Sequence, residues 1–521
     1  MTEAAAGAGG GRMLAGPKTH EERLTKDLEE NLLHLREVLG IGESFDVVER
    51  RLEIGGRAAA LIFVDGLVKD DVMTDVLRHL LCVERADLAP VALEAVLRRH
   101  LAHIEVNRAR TFTEVIDSVL SGPVALIIDG ADEAVIIDAR AYPAREPEEP
   151  ELERVLRGSR DGFVETIVFN TALIRRRVRD ANLRVELIPV GKRSKTDVAL
   201  IYIKDIANSD LVDTVRRRLK GIEVAGIPMA EKTVEEFLLG RKAWWNPFPL
   251  IRLTERPDVA AVHLFEGHVL VAVDTSPSVI MLPTTFFHHI QHAEEFREDV
   301  LAGVYIRLVR FAAIFLSWVG PPLWLALVHD LPLLPAGFAF LGPKEPGVVP
   351  LGLQFILAEV GIDLIRLALI HAPSALATAL GFIGAILLGD IAAKVGLFAN
   401  ETILYIALAA LGTFATPSFE FALAVRLSRL VFVVLAALFG LVGLGVGVAV
   451  QAVLLLTMKC FDVPYLWPLV PFNGPALWAV VVRQPVPLRK ARPSVLRTRK
   501  PETGVSGATG TEDEAGGEDR G

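Results

Sequence analysis

The chain has 521 residues, 51% of them hydrophobic, a formal net charge of −9, and two cysteines, Cys82 and Cys460. That length holds two or three domains. The acidic balance argues against nucleic acid as a partner, and one cysteine in each half excludes a disulfide framework and fits a reducing compartment for the polar half. The apolar excess sits after residue 310, in runs such as Arg429 to Met458 that exceed the length of a globular core helix. About 20 apolar residues at roughly 1.5 Å rise each cover a bilayer core. From about Glu21 to Arg310 charges recur as in soluble α/β protein. The pattern predicts a membrane protein: an N-terminal α/β cytosolic region of two tandem subdomains followed by a C-terminal α-helical transmembrane domain.

In chain order, residues 1–20 (MTEAAAGAGGGRMLAG…) have no apolar h-region and read as a disordered leader. Residues 21–145 form the first expected subdomain. LIFVDGLVKDDVMTDVLRHL (Leu61 to Leu80) matches LIYIKDIANSDLVDTVRRRL (Leu200 to Leu219): an apolar run, a polar turn, an amphipathic helix. GPVALIIDGADEAVIID (Gly122 to Asp138) matches GHVLVAVDTSPSVIMLP (Gly267 to Pro283). Each is a hairpin signature with Asp129 or Asp274 opening the turn. The pairing predicts a duplication, with the second subdomain at 161–305. Between the two lies a charged linker, 146–160, expected to be extended and exposed.

Arg175, Arg176, Arg177 and Arg179 crowd a helix end, where cations suit the dipole. So many like charges need carboxylates or phosphates beside them, which makes these residues candidates for a subunit or subdomain contact. FFHHIQH brings His288, His289 and His292 together without a matching partner cluster. It reads as an amphipathic helix leading to the membrane, and no metal or other cofactor is expected.

The transmembrane domain is expected at 306–482, with Arg307 and Arg310 at its start. Candidate segments are 310–328, 351–370, 375–397, 402–417, 430–458 and 465–482. Four full crossings are expected, with 351–370 and one other segment partly re-entrant or lying at the interface; six full crossings are the alternative. The tail, 483–521, is basic and then disordered; by the positive-inside rule it and the N-terminal region face the cytoplasm. Charges inside such segments are costly and point to function. Glu359, Asp363 and Arg366 recur on one helix face, and Asp390 and Lys394 stand four apart; all five are candidate pore-lining residues. Gly381, Ala385 and Gly389, and Gly443 and Gly447, have the spacing that lets helix backbones approach closely, and are candidate packing positions. No Walker A, GxGxxG, HExxH, paired CxxC or GxSxG signature occurs, and no catalytic constellation is visible, so an enzyme is not expected.

RGSRDGFVETIVFNTALIRRRVRDANLRVE, GKRSKTDVALIYIKDIAN, NPFP (Asn246 to Pro249), TERPD (Thr254 to Asp258) and DTSPSVIMLPTTFF together resemble the A subunits of bacterial spore germinant receptors, the GerA family, from about Leu24 to Arg499. The resemblance implies a multi-pass protein of the spore inner membrane with a cytosolic two-part domain. It implies homo-oligomeric rings, proposed to be pentamers, around an ion path that promotes ion release in germination. It also implies membrane lipid, a small membrane partner protein and other germination proteins as partners. Two other readings stay open: a non-conducting scaffold or signalling subunit, and a secondary transporter. A transporter is disfavoured because the repeat lies in the soluble half rather than in the membrane half.

Overall fold

The computed structural model describes residues 22–84, 105–140, 153–240, 245–333, 335–345, 347–371, 394–485, 489 and 491–503. The chain divides into two compact units, residues 1–144 with 168–187, and residues 145–167 with 188–521.

The first unit runs α1 (Leu28–Leu39), β1 (Val47–Ile54), β2 (Arg57–Val64), α2 (Asp70–Leu81), β3 (Val106–Ala109), α3 (Phe112–Ser121), β4 (Val124–Ile128) and β5 (Ala134–Ile137), and takes in α4 (Ile167–Arg177) from Val168 onward. The strands form an antiparallel sheet of order β1-β2-β4-β5-β3. Side chains alternate across a strand. Ala60, Ile62, Ala125 and Ile127 therefore pack with Leu28, Leu32, Leu35, Val115 and Val119 on one face. Ala59, Leu61, Leu126 and Ile128 pack with Met73, Val76 and Leu80 on the other. Coverage on both faces explains why β4 reads as an unbroken apolar run. Helix ends are closed locally. Asp27 caps α1 by accepting from the amides of Glu29 and Glu30, and Thr111 and Glu114 form a capping box on α3.

The arginine cluster on α4 does not act as one group. Arg175 is fully buried, its Nε donating to Asp46 Oδ2 at 2.8 Å and its Nη2 to Asp46 Oδ1 at 3.1 Å and the Leu183 carbonyl at 3.3 Å. It therefore ties α4, expected in the second subdomain, to Asp46 of the first, the subdomain alternative of the expected contact. Arg176 and Arg179 are exposed, and Arg177 is half-buried.

The second unit holds β6 (Leu183–Val190) from Ile188, then β7 (Thr196–Ile203), α5 (Ser209–Lys220), α6 (Ala230–Leu239), β8 (Arg252–Thr254), α7 (Pro257–Glu266), β9 (Val269–Val273) and β10 (Val279–Leu282). Its sheet has the order β6-β7-β9-β10-β8, the plan of the first sheet strand for strand. The register repeats too. Leu61 faces Leu126 in one sheet, and Leu200 faces Val271 in the other. The Asp129 amide donates to the Ala58 carbonyl at 2.8 Å, and the Asp274 amide to the Asp197 carbonyl at 2.9 Å. One correction concerns the linker, expected to be exposed. Its first described residue, Glu153, is buried, accepting from Arg252 at 2.8 Å and from Thr254 Oγ1 at 2.6 Å.

Beyond residue 299 the second unit is helical: α8 (Val300–His329), α9 (Leu351–His371), α10 (Asn400–Phe414), α11 (Phe419–Thr457) and α12 (Gly474–Val481). Among the described residues two helices, α8 and α11, are long and apolar enough to cross a membrane. The structure corrects two expected segments. Residues 465–482 contain only the 8-residue α12, about 12 Å long and too short to span. The 430–458 run is not one rod. Gly440 has φ 57° and ψ −140° inside α11, which breaks it into arms 419–439 and 441–457.

The arms fold back on each other. Ser428 Oγ donates to Gln451 Oε1 at 3.0 Å, and a side chain at Gly447 would meet Phe432 at 3.1 Å and Leu435 at 2.9 Å. Gly443 lies against the Leu435 carbonyl. Gly443 and Gly447 thus pack inside one hairpin. Gly381, Ala385 and Gly389 lie outside the described residues. At the hairpin tip the Leu441 amide donates to Asp330 Oδ2 at 2.7 Å. The tail then returns to the sheet. Arg492 Nε reaches the Phe265 carbonyl at 2.6 Å, Arg489 pairs with Glu266 at 3.2 Å, and the Arg499 amide donates to Ile206 at 3.0 Å.

Gly440→Ala places a Cβ against the Asp330 carboxylate in a backbone region that costs a non-glycine residue roughly 1–3 kcal/mol. Thermal unfolding of the detergent-solubilised chain is expected to show a clear loss. Gly445→Ala, with open space around it, is expected to show none.

Candidate functional site

The most concentrated chemistry lies where α8, α9 and the first arm of α11 meet. Both partner helices are otherwise apolar, so any charge on their packed faces needs a counter-charge. Glu359 is 2% exposed. Its Oε1 accepts from Arg429 Nε at 2.6 Å, and its Oε2 accepts from Arg426 Nε at 3.0 Å and Arg429 Nη2 at 3.1 Å. Arg426 Nη2 also donates to the Glu359 carbonyl at 2.6 Å, and its Nη1 stands 2.5 Å from Asp363. Arg429 Nη1 donates to Ser317 Oγ at 2.7 Å and the Ser317 carbonyl at 2.9 Å, and Ser317 Oγ donates to the Ala409 carbonyl at 2.8 Å. Two carboxylates and two guanidinium groups balance, and the donors are satisfied across four helices.

Within a single chain the expected pore face divides in two. Glu359 points into the helix packing and does not line an open surface. Asp363 is partly exposed and pairs across to Arg426, not with Arg366 on its own helix. Arg366 lies over the Phe419 ring at 4.4 Å, a cation–π contact. Lys394 is exposed, and Asp390 lies outside the described residues. The sequence reading missed Arg426 and Arg429. Their signal was present: two arginines three apart in an apolar helix match Glu359 and Asp363 four apart in another.

A second centre stands at the start of α8. Arg307 Nε donates to the fully buried Glu295 at 2.6 Å and its Nη1 to the Val480 carbonyl at 2.7 Å, while Arg310 pairs with the same carboxylate. These two arginines are held inside the fold.

A third cluster is histidine. FFHHIQH does not form an amphipathic helix; Phe286–His289 is a single 3₁₀ turn closed by Thr285. His289 is buried, its ring stacked on Phe421 at 5.8 Å. His288 instead joins His263 and His268, with ring centroids 5.1–5.8 Å apart. Burial, with Arg252 nearby, pushes His263 down to about 4; burial and the neighbouring His263 push His268 down to about 3. His288 is also held well below its ordinary value, by burial and the neighbouring imidazoles.

The family model for the Bacillus/Clostridium GerA spore germination protein matches residues 34–495. The chain belongs to the GerA family. It is 47% identical over 482 residues to stage V sporulation protein AF of Bacillus subtilis (strain 168), covering 92% of this chain and 97% of that one. It is 30% identical over 480 residues to spore germination protein GerLA of Bacillus cereus, covering 91% and 97%. It is 28% identical over 466 residues to the uncharacterized membrane protein YfkQ of Bacillus subtilis (strain 168), covering 89% and 90%. The crystal structure of the N-terminal domain of the A subunit of the Bacillus megaterium spore germinant receptor GerK3 matches 51% of this chain and 98% of that one, at 30% identity and a TM-score of 0.41. The GerA match takes in the duplicated sheets and the charge centre alike.

Removing one partner of a buried ion pair strands the other, at about 3–5 kcal/mol. Glu359→Gln is therefore expected to lower the unfolding temperature and folded yield sharply. Glu359→Leu combined with Arg426→Leu and Arg429→Leu is expected to recover much of the loss. Circular dichroism melts in detergent check both.

Proposed function

We propose that this GerA-family chain is a subunit of a homo-oligomeric, ring-like complex that conducts ions across the spore inner membrane and promotes ion release during germination. Family membership over nearly the whole chain carries the reading. The helical half is consistent with it. The amide of Val348 donates to the Gly396 carbonyl at 3.0 Å and Gln354 Oε1 accepts from the Ala399 amide at 2.9 Å, so α9 and α10 start at the same end. The hairpin tip meets Asp330 at the end of α8, and α9 finishes beside Phe419 at the opposite end. Among the described residues α8, α9, α10 and both arms of α11 thus run between the same two ends. The tail docked on Phe265, Glu266 and Ile206 supports an even number, with tail and sheets on the basic, cytoplasmic side.

The charge centre leaves α9 with one packed face and one exposed stripe of Leu353, Leu357, Val360, Leu364 and Leu367. In a ring of subunits such a stripe beside the axis makes an apolar constriction that gates by dewetting, with the partly exposed Asp363 offering a carboxylate to cations near it. A small membrane partner and other germination proteins complete the proposed assembly. A non-conducting scaffold is the second reading. The complete neutralisation of Glu359 favours it, because a structural centre needs no contact with ions.

The test is to reconstitute the purified chain in liposomes, count its subunits by native mass measurement, and follow potassium release. A multimer that releases potassium, and whose flux changes several-fold with Asp363→Asn at unchanged assembly, is the expected result. A monomer, or an assembled ring without flux, sinks the conducting reading; the latter outcome selects the scaffold.

A further inference from the structure

We propose that His263, His268 and His288 form a binding site for a divalent transition-metal ion of the zinc class, held through three imidazole nitrogens. The topology brings them together. His263 lies in the last turn of α7, His268 directly precedes β9, and His288 follows β10. Since Val269 faces Leu282 across the β9–β10 pair, the residue before β9 and the turn after β10 share one sheet end. One ligand atom from each ring lies within 4.8 Å of the others.

The hydrogen bonding suits coordination. His263 Nδ1 is 2.8 Å from the Val259 carbonyl, which takes its proton and leaves Nε2 with a free lone pair. Metal-bound histidines are oriented in this way by their second nitrogen. His268 is completely buried and neither of its ring nitrogens makes a well-formed hydrogen bond, although the carbonyls of Leu282 and Pro283 lie nearby. Buried polar atoms are ordinarily paired, and a metal supplies the missing partner. His288 Nδ1 lies 3.0 Å from the Thr285 amide and 2.8 Å from Thr285 Oγ1. To ligate through Nε2 this ring moves its proton to Nδ1 and donates it to Thr285 Oγ1, losing the amide contact. No proton is lost from the protein in that exchange.

Nitrogens on one tetrahedral zinc stand about 3.3 Å apart at bonds near 2.0–2.1 Å, so the rings close by rotation about their side-chain bonds. Arg252 is a nearby cation, and Glu153 pairs with it at 2.8 Å. A set of three imidazoles selects zinc, cobalt, nickel or copper over magnesium or calcium. Bound there, the ion ties α7 and β9 to the turn whose next residue, His289, stacks on Phe421 of α11.

The full-length chain, purified without a polyhistidine tag and stripped with chelator, is titrated with Zn²⁺ and, separately, Co²⁺. One equivalent retained through gel filtration, zinc-edge X-ray absorption showing three imidazoles, and visible Co²⁺ bands without thiolate charge transfer are expected. His263→Gln and His268→Gln are expected to weaken retention roughly tenfold or more, and His292→Gln to leave it unchanged. Failure of the wild-type chain to retain zinc, sulfur in the first coordination shell, or stoichiometric zinc on the His263→Gln, His268→Gln double variant overturns the site. Should the variants not fold, the wild-type stoichiometry and ligand spectrum decide alone.

Discussion

Burying Glu359 between Arg426 and Arg429 constrains the whole helical half of the molecule. A carboxylate in apolar surroundings is tolerable only with its charge and lone pairs met, and the two arginines can meet them only from the facing arm of α11. Their spare donors then have to be satisfied as well. Arg429 does so on Ser317, which in turn bonds the Ala409 carbonyl, so α8, α9, α10 and α11 are drawn to one point. Apolar packing alone would let such helices slide or rotate past one another. Directional bonds at 2.6–3.1 Å fix their register and rotation.

The two sheets rest on a different principle. Their cohesion comes from apolar side chains alternating between two covered faces, and their sameness comes from repeating one order and one register. The aspartate that opens each β-hairpin turn, Asp129 or Asp274, donates its amide to the equivalent residue of the neighbouring strand. The second copy carries the histidines, the Glu153 anchor and the docked tail.

The sequence made the repetitive features legible. Paired apolar runs at matched spacing marked β2 with β7 and the hairpins β4–β5 and β9–β10, because strand burial is written in local periodicity. Helix existence was legible for the same reason. What stayed hidden depends on contacts far along the chain or on a single backbone angle. Arg429 meets Glu359 across 70 residues, and nothing local to either announces the other. Gly440 reverses a helix inside a run whose composition is apolar on both sides, and its positive φ, which nothing in the local sequence announces, sets it apart from Gly445 five residues on. Arg175, Arg176 and Arg177 look alike in sequence, yet Arg175 is buried against Asp46 while Arg176 is exposed. The short α12 could have been read, since Pro468, Pro471, Asn473 and Gly474 interrupt any continuous helix there.

The sheet and the helices of the second unit are joined at aromatic contacts rather than through a flexible tether. Phe421 packs edge-on to Phe286 at 5.1 Å and to Phe248 at 5.8 Å, and parallel to His289 at 5.8 Å. Phe421, Arg426 and Arg429 lie on one uninterrupted arm of α11. A hydrogen-bonded helix of that length is stiff, so a displacement of the 3₁₀ turn that shifts Phe421 must shift the two arginines with it. Glu359 cannot remain behind without stranding a buried charge, so α9 follows. From the 3₁₀ turn after the second sheet to α9 the contacts form a chain of packed rings and ion pairs.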